Sequence, residues 1–451
     1  MCTNFLRGIS NKNIVDAMTR LFFGVVALAM SMAAQAALPI QHWQSVSGAK
    51  VYFVENHDLP ILDVSVNFAA GSSFDTPEKA GVAGLTQGML SLGAGGLTDD
   101  QISNRFADIG AQPGGEFDLD RASLKLRTLS SERERVAALE LLATLLQKPD
   151  FPAAVLEREK ARAIAGLREA ATQPESISDK AFSKALFGSH PYALDEMIEP
   201  ETVEKVTRDD LIAFHRSHYT RSNAVVAIIG DVTRVQAEAI AEQLTAGLPQ
   251  GPAMTGVPPV QLPSAPVETR IPHPAAQSHI LLGYPGVKRG DPDYFPLYVG
   301  NYILGGGGFV SLLTEEVREK RGLAYSVYSY FMPMREAGPF QIGLQTKREQ
   351  TDAALKVVRE TLNKFIQSGP TTKELKAAKD NIIGGFPLRI DSNGKILDYL
   401  SVIGFYGLPL TYLDDFNKEV AKVTTVQVKD AFARRIKPQN MVTVIVGGDG
   451  K

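Results

Sequence analysis

Apolar positions along the chain fall into two rhythms. Short β-branched runs at residues 51–54, 61–69, 122–128 and 225–229 read as strands. Stretches with apolar residues three and four apart, at 100–109, 135–147 and 177–186, read as amphipathic helices. Only residues 55–60 separate the runs at 51–54 and 61–69, a spacing that predicts direct antiparallel pairing. The pattern therefore predicts an α+β layer, with helices packed on a mixed or antiparallel sheet, rather than a doubly wound parallel sheet.

The pattern also occurs twice. Val203-Glu204-Lys205-Val206-Thr207, a helical stretch and the strand that begins after Asn223 are matched by Val420-Ala421-Lys422-Val423-Thr424, a similar stretch and the strand after Asn440, an offset of 217 residues. Upstream, the strand at 122–128 and the helix at 135–147 correspond to a strand at 340–346 and a helix at 351–368. A period this long means duplicated domains in tandem, not a solenoid of short repeats. The domains are expected at 37–248 and 275–451, joined by a connector at 249–274 whose eight prolines predict an extended, stiff linker with little helix or strand.

Composition matters most at the N-terminus. Arg7, Lys12 and Arg20 precede an uncharged apolar run at 21–33 and the small-residue site Ala34-Gln35-Ala36. That is the pattern of a cleaved export signal over residues 1–36, with Met18 as an alternative start. The run is shorter than the roughly 20 residues of a spanning helix, and no other stretch is long enough. The single cysteine, Cys2, falls in the signal, so the mature chain has no disulfide, thiolate metal site or cysteine nucleophile. A formal charge of −3 with mixed signs argues against nucleic acid or an anionic membrane as partner.

Seven histidines are available for metal chemistry: His42, His57, His190, His215, His218, His273 and His279. His215 and His218 stand three apart on an expected helix, but no carboxylate at ligand spacing completes a set. They read as a polar face leading into Tyr219, and His190 reads as a turn-fixing residue before Pro191. The run Gly305, Gly306, Gly307 and Gly308 is not a phosphate loop, because Phe309-Val310 follows it in place of Gly-Lys-Ser/Thr.

Taken in order and spacing, several segments resemble the pitrilysin, insulinase and mitochondrial processing peptidase superfamily of inverted zincins. They are Ala70-Gly71-Ser72-Ser73-Phe74-Asp75, Phe187-Gly188-Ser189-His190-Pro191-Tyr192 and His218-Tyr219-Thr220-Arg221-Ser222-Asn223, then the four glycines with Glu316-Val317-Arg318-Glu319-Lys320-Arg321-Gly322-Leu323-Ala324-Tyr325. The resemblance runs from about residue 41 to 450. It implies a zinc helix carrying His-x-x-Glu-His, in which two imidazoles one turn apart hold the metal and the Glu activates water. Those positions here are Gly84, Gln87 and Gly88. The family's third ligand, a Glu on a later helix, falls on Ala165 or Gly166, and the Asn-Ala pair of its substrate-facing strand is replaced by Gly114-Gly115. Ligands, base and part of the substrate edge are replaced together, so no cofactor is expected in this chain.

The second half keeps more of the family's pattern. Arg318 and Tyr325 match an Arg and a Tyr, seven residues apart, that in catalytic relatives hold substrate backbone and stabilise the oxyanion across a chamber from the zinc. The glycines 305–308 match a substrate-contacting loop, Arg321 is given an accessory role, and Leu312 or Leu313 stands where relatives often carry an Arg. The resemblance thus implies a non-catalytic subunit of a periplasmic heteromeric metallopeptidase. A homologous zinc-bearing partner would supply the metal, and the substrate would be a peptide or unfolded polypeptide. Two other readings remain at this point: a peptide-binding or scaffold homodimer, which predicts that Arg318 and Tyr325 are dispensable, and an enzyme acting alone through an unrecognised site.

Overall fold

Two mixed sheets organise the chain. In the first half lie β1 (Gln41–Gln44), β2 (Lys50–Glu55), β3 (Ile61–Phe68), β4 (Gly93–Ala94), β5 (Leu97–Thr98), β6 (Gln112–Gly114), β7 (Ala122–Leu129) and β8 (Val225–Gly230). In the second half lie β9 (Val267–Ile271), β10 (Gln277–Pro285), β11 (Ala324–Phe331), β12 (Pro339–Lys347) and β13 (Val442–Val446). The sheet orders are β1-β2-β8-β3-β7-β6 and β11-β12-β10-β13-β9, with β4 and β5 forming a separate ribbon. These features belong to a computed structural model that describes residues 39–251 and 256–447. The expected signal at 1–36, with Cys2, lies outside the described residues.

The architecture is the expected α+β one, two homologous domains in tandem, but the pairing differs from the sequence expectation. β2 and β3 do not pair with each other. β8 lies between them, parallel to β2 and antiparallel to β3. The reason is burial: every residue of β8 is buried, so it needs strands on both edges and layers on both faces. The connector also carries a strand its composition did not announce. β9 runs parallel to β13 as β2 runs parallel to β8. Its sequence, Val-Glu-Thr-Arg-Ile, has no buried position, and main-chain pairing at the sheet edge defines it. The duplication explains its place, because Val267 opens β9 at the same 217-residue offset from Lys50 of β2.

Period-2 alternation assigns each sheet two covers. Val51, Phe53, Val226 and Ile228 join the core of the first half, beneath the helices Glu132–Gln147 and Arg234–Thr245. Their neighbours Tyr52 and Val225 instead join the core of the second half. They do so because the helix Asn393–Tyr406, from the second half, packs on β2, β3 and β8. The exchange is mutual. The first-half helix Pro174–Phe187 packs on β10 and β13, where Phe182 and Leu186 meet Leu281, Val442, Val444 and Val446. The described residues from Ile40 onward accordingly form one compact unit.

A buried carboxylate fastens the exchange. Asp120 accepts hydrogen bonds from the Tyr192 hydroxyl (2.9 Å), the Arg335 N–H (2.8 Å) and the Tyr406 hydroxyl (3.0 Å). The Glu336 N–H donates in turn to the Tyr192 oxygen (2.9 Å). Burial raises the Asp120 pKa against the opposing effect of these bonds.

Candidate functional site

The helix Val82–Met89 carries the positions that match the family's zinc helix. Its start is fixed by Gly81, with φ of 105°, and by Asp75, whose carboxylate accepts from the N–H groups of Gly81 (2.7 Å) and Ala83 (2.8 Å). That carboxylate takes the place of an N-cap and neutralises the positive end of the helix. Burial nevertheless lifts its pKa to about 6, the two N–H bonds opposing.

Gly84 and Gly88 sit four residues apart, hence on one face. A Cβ at 84 would lie 3.6 Å from the Phe117 ring, whereas a Cβ at 88 would meet nothing within 4 Å. The Gln87 amide nitrogen lies 2.9 Å from where a Cβ would stand at Gly115, just past β6 at the edge of the first sheet. Ala165 and Gly166 are exposed on the helix Ala153–Ala170, which packs against Val82–Met89. These positions do not fit a zinc ion. Glycine and alanine offer no donor, the Gln87 carboxamide is no general base, and no three His, Cys, Asp or Glu among the described residues converge as ligands.

The histidines are absorbed elsewhere. His190 fixes its turn as expected, accepting from the Tyr192 N–H (3.1 Å) while its Nε2 donates to the Pro258 carbonyl (2.7 Å). His215 and His218 do not form a polar face. His215 is buried, donates to the Leu146 carbonyl (2.9 Å) and stacks on Tyr219. His218 bonds the Ala69 carbonyl (3.1 Å) and stacks on Phe214. Burial lowers both pKa values, keeping the rings neutral and apolar enough to pack.

In the second half, the helix Tyr294–Asn301 passes into a π-type turn, Tyr302–Gly306, and then into the last of the four glycines. Packing accounts for the first three. A Cβ at Gly305 would stand 2.7 Å from the Ser329 nitrogen, at Gly306 2.7 Å from the Asn301 amide, and at Gly307 2.6 Å from the Tyr302 carbonyl. Gly308 alone needs a positive φ, 62°, and has open space around it. The chain then exposes Phe309 (75 %) and Val310 (78 %).

A second π-type turn, Thr314–Glu319, presents Arg318 beside these residues. The Arg318 guanidinium carbon lies 4.8 Å from the Phe309 ring centre and 5.1 Å from that of Tyr325. Tyr325 is the second residue of β11, the edge strand of the second sheet, and is 82 % exposed. Its hydroxyl has no hydrogen-bond partner among the described residues. Among the described residues the only carboxylate paired with Arg318 is its neighbour Glu319, at 3.3 Å. Arg318 and Tyr325 are therefore brought together, Tyr325 exposed and the Arg318 guanidinium also paired with Glu319. Arg321 is not part of the pair: its Nη1 is tied back to the Glu316 carbonyl (2.7 Å) and carboxylate (2.6 Å). Leu313 is buried, so that position serves the core. Phe309 was the residue least legible from sequence. Its signal was an aromatic directly after a glycine run, and its role depends on the fold bringing 318 and 325 to it.

Comparison with known proteins follows the same division. Residues 50–198 match the family model described as Insulinase (Peptidase family M16), and residues 205–382 match that described as Peptidase M16 inactive domain. A crystal structure of a peptidase M16 inactive domain from Pseudomonas fluorescens is 41% identical, with a TM-score of 0.87 over 90% of this chain and 97% of that one. A protein of Helicobacter pylori called Non-peptidase homolog YmxG is 27% identical over 90% of this chain and 94% of its own length. A Bacillus subtilis protein called Uncharacterized zinc protease YmxG is 25% identical over 78% and 85%. The periplasmic protease PqqL from Escherichia coli shares the fold, with a TM-score of 0.78 at 13% identity over 92% of this chain and 46% of that one.

Proposed function

The chain belongs to the insulinase (peptidase M16) family, and on that premise we propose that it is a non-catalytic subunit of an exported heteromeric zinc metallopeptidase. In this reading a homologous partner carries the zinc and the water-activating Glu, and this chain supplies Arg318 and Tyr325 to the shared chamber. The observation that carries it is the contrast between the two halves. The zinc positions hold Gly84, Gln87, Gly88 and Ala165, which have no ligand or base chemistry. Arg318 and Tyr325 stand together at a sheet edge, Tyr325 exposed and Arg318 paired among the described residues with its neighbour Glu319. A cation and a phenol so placed suit the oxygen that becomes negative when water attacks a peptide carbonyl. The apolar side chains of Phe309 and Val310 beside them suit a peptide or a facing subunit. Export to the periplasm rests on the N-terminal pattern at 1–36.

Native mass spectrometry of the mature chain purified from its own host is the test. A stoichiometric partner bearing intact His-x-x-Glu-His is expected. In the reconstituted pair, Arg318→Ala or Tyr325→Phe should each lower kcat by about 10²-fold, the usual loss for one oxyanion donor. A homodimer without such a partner, or unchanged peptidase activity in both variants, would favour a scaffold or peptide-binding role.

A further inference from the structure

We infer that a cleft in the second half, away from the Arg318–Tyr325 edge in sequence and in its lining, is a binding site for a small carboxylate carried on an apolar body, the chemistry of a free aryl or alkyl acid and of a peptide's C-terminal residue alike. The cleft is a cavity of about 360 Å³ between the loop at 289–293 and the start of the helix Tyr412–Lys422. Its apolar wall is made by Tyr294, Phe295, Leu408, Pro409 and Tyr412, and Arg289 enters beside them. An apolar, largely aromatic wall with a few polar groups beside it is what small-molecule sites have in common.

Charge accounting singles out Arg289. Three carboxylates line the cleft, and each already has a cation: Asp291 is held by Arg435 (2.8 Å), Asp415 by Lys418 (2.8 Å) and Glu419 by Lys422 (2.6 Å). Arg289 has none. It makes no ion pair among the described residues, and its Nε is buried without a hydrogen-bond partner. A buried unpaired donor on a cation is costly, of the order of 1–3 kcal/mol or more, so its retention calls for an acceptor. The Arg289 guanidinium carbon lies 5.3 Å from the Tyr406 ring centre, which supports the group from one side and leaves its two Nη groups as the donors for a ligand. A carboxylate is the acceptor whose two oxygens match that planar fork, and the aromatic wall sets the apolar body beside it. The volume admits one amino-acid side chain with its carboxylate, not an extended segment.

Tyr406 also donates to Asp120 at the junction of the halves (3.0 Å). An occupied cleft thus sits one residue from the contact that joins the exchanged helices. Binding at this cleft requires no partner subunit, since all its lining residues belong to this chain.

The test is isothermal titration calorimetry of the mature chain with N-acetyl-phenylalanine and N-acetyl-phenylalanine amide, and with a tetrapeptide ending in phenylalanine as free acid and as amide. The free acids should bind at least 10-fold more tightly than their amides. Arg289→Gln should remove that preference, and Arg289→Lys should keep part of it. If the small acid and the peptide acid bind equally, the site reads a lone carboxylate residue. If only the peptide acid binds, it reads a chain terminus. Amides that bind as well as acids, no heat from any probe, or an unaltered acid preference in Arg289→Gln would each overturn the inference. The acid–amide comparison on the unaltered chain keeps the test decisive even where the Arg289→Gln variant folds poorly.

Discussion

Gly84 and Gly88 each weaken the helix Val82–Met89 relative to alanine, by about 0.5–1 kcal/mol, yet the helix stands because Asp75 satisfies its first N–H groups. Space around Gly88 is empty and its backbone is helical. Gly88→Ala should therefore stabilise the protein by roughly 0.5–1 kcal/mol, read as a shift in urea midpoint. No gain would show that this face is already occupied by something that alanine displaces. A second residue-scale effect concerns pH. Burial first, then the nearby charges of Asp195 and Asp179, raise Glu196 to about 7 from its ordinary 4.5. A raised acid binds its proton more tightly in the folded state than in the unfolded one. Its contribution is therefore full below about pH 4.5 and is lost as pH rises toward 7. Glu196→Gln should flatten that slope and leave the protein about 1–3 kcal/mol more stable than the parent at pH 8, with little change at pH 4. Denaturation at both pH values checks the sign.

Among the elements, the exchanged helices carry the closest packing. Gly404 lets the helix Asn393–Tyr406 approach the first sheet, since a Cβ there would lie 2.6 Å from Val225 and 2.7 Å from the Tyr52 ring. Gly283 of β10 does the same beneath the helix Pro174–Phe187, where a Cβ would press into the Phe182 ring and within 2.5 Å of the Phe340 carbonyl. The two contacts are counterparts in the duplicated plan. Gly283→Ala and Gly404→Ala should each destabilise by about 1–3 kcal/mol through overpacking, measured by thermal or urea unfolding. Equal stability in either variant would mean that the sheets separate at little expense. The repeated helices were legible in advance, and the matched Val-Thr pairs at 206–207 and 423–424 prove to head a capping box on an 11-residue helix each. Which helix covers which sheet was not.

For the whole molecule, the exchange joins two repeated domains into one folding unit. Each sheet without the other half's helix would expose an apolar face, Tyr52 and Val225 on one side and Leu281, Val442, Val444 and Val446 on the other. Residues 39–251 and 256–447, the second keeping β9, expressed apart should each lack the dispersed NMR spectrum of a packed protein, and co-expression should restore it. A folded isolated half would refute the dependence. Asp120→Ala should cost roughly 2–4 kcal/mol, because the Tyr192 and Tyr406 hydroxyls and the Arg335 N–H lose their common acceptor. Asp120→Asn, which keeps a carbonyl oxygen, should lose much less.

The sequence alone determined what depends on residue type and local period. That includes the strand and helix rhythm, the 217-residue duplication, the α+β class and the absence of ligand chemistry at Gly84, Gln87, Gly88 and Ala165. It also carried the seven-residue spacing of Arg318 and Tyr325. The tertiary structure alone decided that β8 separates β2 from β3, that β9 is a strand, that His215 and His218 are buried, and that Phe309 joins the Arg318–Tyr325 pair. It also placed Asp120 and Arg289 at their contacts. The physical reason is range. Periodicity records only which face of an element is apolar, whereas the partner that covers the face is chosen by long-range closure. The hydrogen bonds of Asp120 reach residues 72, 215 and 286 positions away, and nothing local to Asp120 encodes them.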